Sequence, residues 1–200
     1  MTYPAFFDQA PKIVMQDPLS ALLGAATNGI IEYAYGDIVK LAGHSCPTVA
    51  GAYLMTRNAL KKLYGDALPQ RGGIKVEFRD SALSGVTGVI ANVVGFITGA
   101  TADTGFKGLG GQYDRRNLMF FDAPIAGEIR FQRLDTAASV EVAFHANVVP
   151  APATLMPALH NILSGQADQS QKDSFGQAWQ ERVRQILEQA DHPGIVTYSS

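Results

Sequence analysis

His44 and Cys46 are the first candidates for chemistry. They stand two residues apart in the stretch LAGHSCPTVAGAYLM (41–55), and Cys46 is the one cysteine of the chain. Pro47 fits the first position of a helix, where a residue's N–H has no intrahelical partner in any case. The spacing therefore predicts Cys46 at or beside the N-cap of a helix over 47–63. A helix N-terminus presents unpaired N–H groups and a partial positive charge. A thiol held there ionises more readily, and a neighbouring imidazolium adds to the effect. The pair suits a nucleophilic thiolate with His44 as its base. It equally suits a ligand pair for zinc, ferrous iron, nickel or cuprous copper. A third reading involves no chemistry, because free cysteine is among the most buried residue types and often serves as a small hydrophobe. Spacing alone leaves all three open.

A tetrahedral metal site needs more than two ligands. The rest can come from backbone, water, a loop carboxylate or a second copy of the chain. Asp103 and His145 are the side-chain candidates. Asp103 lies in GATADTGFKGLGG (99–111), which has five glycines in thirteen residues and is expected to be a loop. The loop lacks the G-x-x-x-x-G-K-[ST] pattern that cradles phosphates, since Lys107 is followed by Gly108 and Leu109. Lys107 and Arg116 are the candidates for holding an anionic substrate. His145 is expected on a solvated strand face with Glu141 and Asn147, opposite Val140, Val142 and Phe144. His160 reads as a structural side chain beside an apolar helix stripe. His192, in ADHPG, reads as helix-end punctuation. The glycine loop is expected to lie against residues 44–46 and wall the same pocket.

The elements that must position these groups follow from pattern. Asp17-Pro18 reads as an N-cap and first helical residue, and GIIEYAY (29–35) as a strand. Asp37 is expected to cap a short helix over 38–42 that Gly43 stops. On the 47–63 helix, Val49, Tyr53, Leu60 and Leu63 fall on one stripe, widened by Ala50 and Leu54. GIKVEFRD (73–80) alternates as a half-buried strand. VTGVIANVVGFITG (86–99) is apolar nearly all round and predicts a helix buried in the core. NLMFFD (117–122), GEIRFQRL (127–134) and ASVEVAFHANVV (138–149) predict three meandering strands. TLMPALHNIL (154–163) and SFGQAWQERVRQILEQA (174–190) predict two helices, the second with Phe175, Trp179, Val183 and Ile186 as its apolar stripe. The order implies an α+β fold with an antiparallel or mixed sheet packed with helices. One domain over 1–200 is expected, with a core over about 30–150 and a C-terminal helical part over about 151–200.

Composition limits the partners. Apolar residues make up 46% and charged residues 17% of the 200, which suits a packed core rather than a disordered chain. Net charge is −2, and basic residues cluster no further than the pairs Lys61-Lys62 and Arg115-Arg116, so no nucleic-acid footprint is present. The apolar run from Val86 to Ala100 is interrupted by Gly88, Asn92 and Gly95 and is shorter than the roughly 20 residues a bilayer demands. The N-terminal residues lack the basic and apolar regions of a secretory signal. A cytoplasmic protein that engages neither membrane nor nucleic acid is expected.

GHSCPTVAGAYLMTRNAL (43–60) resembles the signature of FmdE, a family named for its association with formylmethanofuran dehydrogenase. Its members carry a His-Gly-His-x-Cys-Pro-Gly segment running into an apolar helix. NVVGFITGATADTGFKG (92–108) is similar to the family's later segment, an apolar helix ending in Thr-Gly-Cys-Thr before a Gly-Lys-Gly turn. The resemblance spans roughly residues 30–125. Ala42 stands at the first histidine, Ala100 at the second cysteine, and no cysteine follows Cys46 to build the zinc ribbon of longer members. The resemblance implies an FmdE-like core, a homodimer, and a divalent transition metal, zinc foremost, on His44 and Cys46. It leaves open whether the chain is a metal-dependent enzyme acting on a small molecule or an accessory or metal-delivery protein. The dehydrogenase of the family name is a molybdenum or tungsten oxidoreductase, whose catalytic machinery is not in this chain.

Overall fold

The computed structural model describes residues 3–199. The fold is α+β, with helices packed against two sheets. Strands β1 (Ile13–Gln16) and β2 (Ile30–Tyr33) form an antiparallel pair, with the short helix α1 (Pro18–Leu22) between them. Asp17 caps α1 as expected, its carboxylate accepting the Leu19 and Ser20 N–H groups at 2.9 and 3.2 Å. Helix α2 (Tyr35–Ala42) starts earlier than Asp37. Asp37 occupies the third helical position and reaches back to the Ala34 N–H at 3.1 Å, so it braces the first turn from inside rather than capping it.

Helix α3 (Pro47–Tyr64) is the central element, packing against α2, against helices α4 (Thr87–Thr98) and α6 (Gln169–Glu188), and against strands β6 (Ser139–Phe144) and β7 (Val196–Ser199) of the larger sheet. Its predicted stripe is buried from Val49 to Leu60, with Leu63 half-buried. Every residue from Val49 to Thr56 is buried, so the helix is enclosed on all sides over that span. Gly51 is needed there, because a Cβ at this position would lie 2.4 Å from the ring of Phe144.

The larger sheet has strand order β4-β3-β5-β6-β7, comprising β3 (Ile74–Phe78), β4 (Met119–Phe120), β5 (Ile129–Arg133), β6 (Ser139–Phe144) and β7 (Val196–Ser199). The meander holds only for β5 and β6. β4 runs parallel to β3 on the far edge, so β3 separates it from β5. It is only two residues long, and Asn117 and Asp122 on either side take positive φ values of 56° and 57° that end the extended run. β6 stops at Phe144, and a 3-10 turn over Ala146–Val148 follows. The last strand, β7, pairs antiparallel with β6 and lies within residues 151–200, beside α5 (Leu155–Leu163) and α6 (Gln169–Glu188). α6 starts at Gln169, ahead of Ser174, because Asp168 and Gln171 form a reciprocal capping box.

Helix α4 (Thr87–Thr98) is buried on one side only. Ala91, Val93, Val94 and Ile97 join the core, while Val86 and Val89 face outward. Phe96, partly exposed, meets Tyr33 edge-on at 5.3 Å. No helix among the described residues is long and apolar enough to cross a membrane.

Candidate functional site

Cys46 is the N-cap of α3. Its backbone is extended, and its Sγ accepts the Val49 N–H at 3.5 Å, a long contact suited to sulfur. The residue is nearly buried, at 9% exposure. Two further elements hold this turn. The Ser45 carbonyl accepts from Trp179 Nε1 at 3.0 Å and from Gln180 Nε2 at 3.1 Å, both on α6. The Ser45 hydroxyl lies 3.0 Å from the phenol of Tyr35 on α2. Burial pushes the Tyr35 phenol far above its ordinary range, with the Ser45 hydrogen bond acting in the opposite sense and the nearby Cys46 sulfur adding to the rise. Tyr35 therefore stays a neutral hydroxyl.

His44 follows Gly43, whose φ of 75° ends α2 in the left-handed region that favours glycine. The side chain is exposed, and its Nδ1 lies 3.0 Å from the Ala42 carbonyl. A carbonyl only accepts, so Nδ1 carries the proton and the neutral ring keeps its lone pair on Nε2.

The other candidates lie elsewhere. Asp103 and Lys107 are exposed on the glycine loop. Arg116 is tied to Asp114, with Nε and Nη2 donating at 3.1 and 2.7 Å. This pairing holds the Asp114 carboxyl down at about 2. His145 sits at the end of β6, with Nε2 2.8 Å from the Thr197 hydroxyl on β7. Among the described residues no three His, Cys, Asp or Glu side chains gather closely enough to hold a metal ion. Asp103 and His145 therefore do not join His44 and Cys46 in a ligand group within one chain. His160 is exposed on the last turn of α5, and His192 accepts the Gly194 N–H at 3.1 Å beyond the end of α6.

Glu141 departs from its reading as part of a solvated face. It is buried, and one carboxylate oxygen accepts the Ala126 and Gly127 N–H groups at 2.9 and 2.8 Å. The other accepts from Arg130 at 2.6 and 3.1 Å. The Gly127 bond is the main cause of its lowered pKa, with Arg130 contributing against burial.

Two grooves border α2, and one of them reaches the 43–46 turn. One, of about 950 Å³, runs along α2 between Phe7, Asp37 and Lys40 and reaches Gly43. The other, of about 520 Å³, is lined by Leu41, Phe96 and, on the loop arm, Ala100, Thr101, Ala102 and Thr104, among other residues, none of them charged. The glycine loop thus walls a groove beside the end of α2, three residues short of His44, but neither His44 nor Cys46 lines it.

The residues that sequence reasoning missed are Asp17, Arg71 and Arg115. Arg115 Nη2 and Arg71 Nη1 donate to the two oxygens of Asp17 at 2.7 and 3.0 Å. Asp17 and Arg115 are both buried. Burial works to raise the Asp17 carboxyl. It is outweighed by the bonds from Arg71 and the Ser20 N–H and by the two guanidinium charges, so the pKa falls below its ordinary value. The N-cap pattern around Asp17 points to a local role and carries no sign of partners far along the chain.

No family model matches the chain, and no curated protein matches it.

Proposed function

We propose that this chain is an FmdE-like metal-binding protein in which His44 Nε2 and the Cys46 thiolate supply two ligands, with zinc as the expected metal. The bond between His44 Nδ1 and the Ala42 carbonyl carries this reading. Metal-bound histidines commonly donate their second ring N–H to a carbonyl, which fixes the tautomer and aims the other nitrogen. Here that arrangement stands two residues from a cysteine at a helix N-cap, within the segment that resembles the FmdE signature.

One chain offers two side-chain ligands, so the remaining positions belong to water, a small ligand or a second copy. A two-ligand site beside an exposed histidine suits metal transfer as well as turnover. A metal bound there would polarise a carbonyl or acidify a bound water. Arg116 is already engaged by Asp114, and Lys107 stands on the glycine loop away from this turn, so neither is assigned to a substrate here.

The Val49 N–H on Sγ favours a second reading, a metal-free thiolate nucleophile. Elemental analysis of protein purified without chelators separates the two. About one zinc per one or two chains is expected in the wild type, with loss in Cys46→Ser and reduction in His44→Ala. Equal metal content in the wild type and Cys46→Ser would remove Cys46 from any metal site. Absence of metal together with rapid alkylation of Cys46 would favour the nucleophile.

A further inference from the structure

Residues 102–114 form a loop closed at its neck by main-chain bonds. The Thr101 N–H and hydroxyl both donate to the Arg115 carbonyl, at 2.9 and 2.6 Å, and the Arg115 N–H donates to the Phe106 carbonyl at 2.9 Å. The Arg115 side chain then leaves the loop and reaches Asp17, 98 residues away in sequence. Its guanidinium lies against Gly72, where a Cβ would fall 1.2 Å from Nη1.

Three observations set this contact apart from an ordinary ion pair. Arg115 is buried, yet its Nε has no hydrogen-bond partner, and neither has the Nε of Arg71. Two guanidiniums share one carboxylate, so the cluster depends on Asp17 keeping its charge. The backbone on either side of Arg115 is strained, with Tyr113 at φ 61° and Asn117 at φ 56°, both in the left-handed region that side chains disfavour. Asp17 alone compensates a buried, incompletely bonded charge, and release of the loop would relax the flanking strain. The glycines at 105, 108, 110 and 111, all at positive φ, supply the hinge.

We propose that the Asp17–Arg115 pair is a latch that holds the 102–114 loop closed and so controls access to the uncharged groove walled by Ala100, Thr101, Ala102, Thr104, Leu41 and Phe96. Without the Asp17 charge, a buried Arg115 has no compensating partner. It moves to water and takes the loop's exit with it, and the groove widens. Arg71 also donates to the Phe96 carbonyl at the end of α4, at 3.1 Å, which ties the opposite side of the groove to the same carboxylate. The latch is independent of any metal at residues 44–46.

Asp17→Asn tests it, because asparagine keeps the N-cap acceptor of α1 while removing the charge. In hydrogen–deuterium exchange, the peptide 103–117 is expected to accelerate at least about tenfold more than the peptides of α3, and trypsin to cut faster after Lys107. Arg71→Gln leaves the Asp17–Arg115 pair in place and should keep this peptide at wild-type rates. If Asp17→Asn does not fold, Arg115→Lys carries the test, since it keeps a charge but lacks the guanidinium's reach and fork. The uncharged fluorophore N-phenyl-1-naphthylamine should bind the unlatched variant several-fold more tightly than the wild type. Acceleration of 103–117 no greater than that of α3 would overturn the latch, and unchanged fluorophore binding would overturn its control of the groove.

Discussion

At the scale of single residues, the 44–46 turn combines rigidity with exposure. Ser45 is fixed by Trp179, Gln180 and Tyr35, while the neighbouring imidazole is exposed. If His44 and Cys46 share a metal, zinc should protect the thiol. Iodoacetamide labelling of Cys46 is expected to slow severalfold on adding zinc to the wild-type protein and much less in His44→Ala. Equal protection in both would place zinc on Cys46 without the histidine. A second residue-scale expectation concerns Glu128, half-buried beside β5. Burial raises its pKa, and the Phe144 N–H and the charge of Arg79 only partly offset the rise. Below the unfolded pKa both states hold the proton and nothing is lost. Above it the folded state resists ionisation and stability declines. Glu128→Gln should therefore gain Tm relative to the wild type at pH 7 and gain little at pH 4. Calorimetry at the two pH values checks the order, and a larger gain at pH 4 would contradict it.

At the scale of elements, α3 shows how closely the helices meet the sheet. Gly51 faces the Phe144 ring at the end of β6, and an added methyl would sit 2.4 Å from a ring carbon. Alanine favours a helix by about 1 kcal/mol over glycine. Overpacking a filled core costs about 1–3 kcal/mol. The ring cannot yield cheaply, because the added methyl would also sit 2.7 Å from the inner carbon of the ring. Packing should win, and Gly51→Ala should lower Tm by a few degrees; a raised Tm would show that Phe144 has room to turn. The same elements mark how far pattern reading reaches. The start of α3 was legible because Pro47 has few places to sit in a helix, and that fixed Cys46 at the cap. β3 was legible from its alternation. The orientation of β4 was not, because a long loop returns the chain to the far side of β3 and local pattern does not encode that path. β7 is four residues long and follows two helices, too short a run to stand out from a helical tail. The Asp17–Arg115 contact was invisible for a related reason: Asp17 already had a local explanation as a helix cap, and Arg115 stood out only as one of a basic pair.

At the scale of the whole molecule, buried phenols set the response to alkali. Tyr35 and Tyr53 are fully buried, and burial pushes both far above their ordinary range. Tyr53 donates to the carbonyls of Pro11 and Tyr33 at 2.8 and 3.0 Å, which joins α3 to the β1–β2 pair. Tyr35 ties α2 to the 44–46 turn through Ser45. Once the chain unfolds, both phenols ionise near pH 10. Above that pH the folded state holds two more tyrosine protons than the unfolded state, so stability must fall as pH rises. Each proton contributes about 1.4 kcal/mol per pH unit, and the pair about 2.7. Tyr35→Phe removes one of these protons. Its stability should decline with pH less steeply than that of the wild type, by about 1.4 kcal/mol per unit above pH 10, although it loses the Ser45 bond and starts lower at pH 8. Urea denaturation at pH 9.5, 10.5 and 11 measures the two slopes, and absorbance near 295 nm reports whether the phenols ionise before or with unfolding. Parallel slopes for the two proteins, or phenolate absorbance from both residues in the folded state, would show that Tyr35 is not held neutral by the fold.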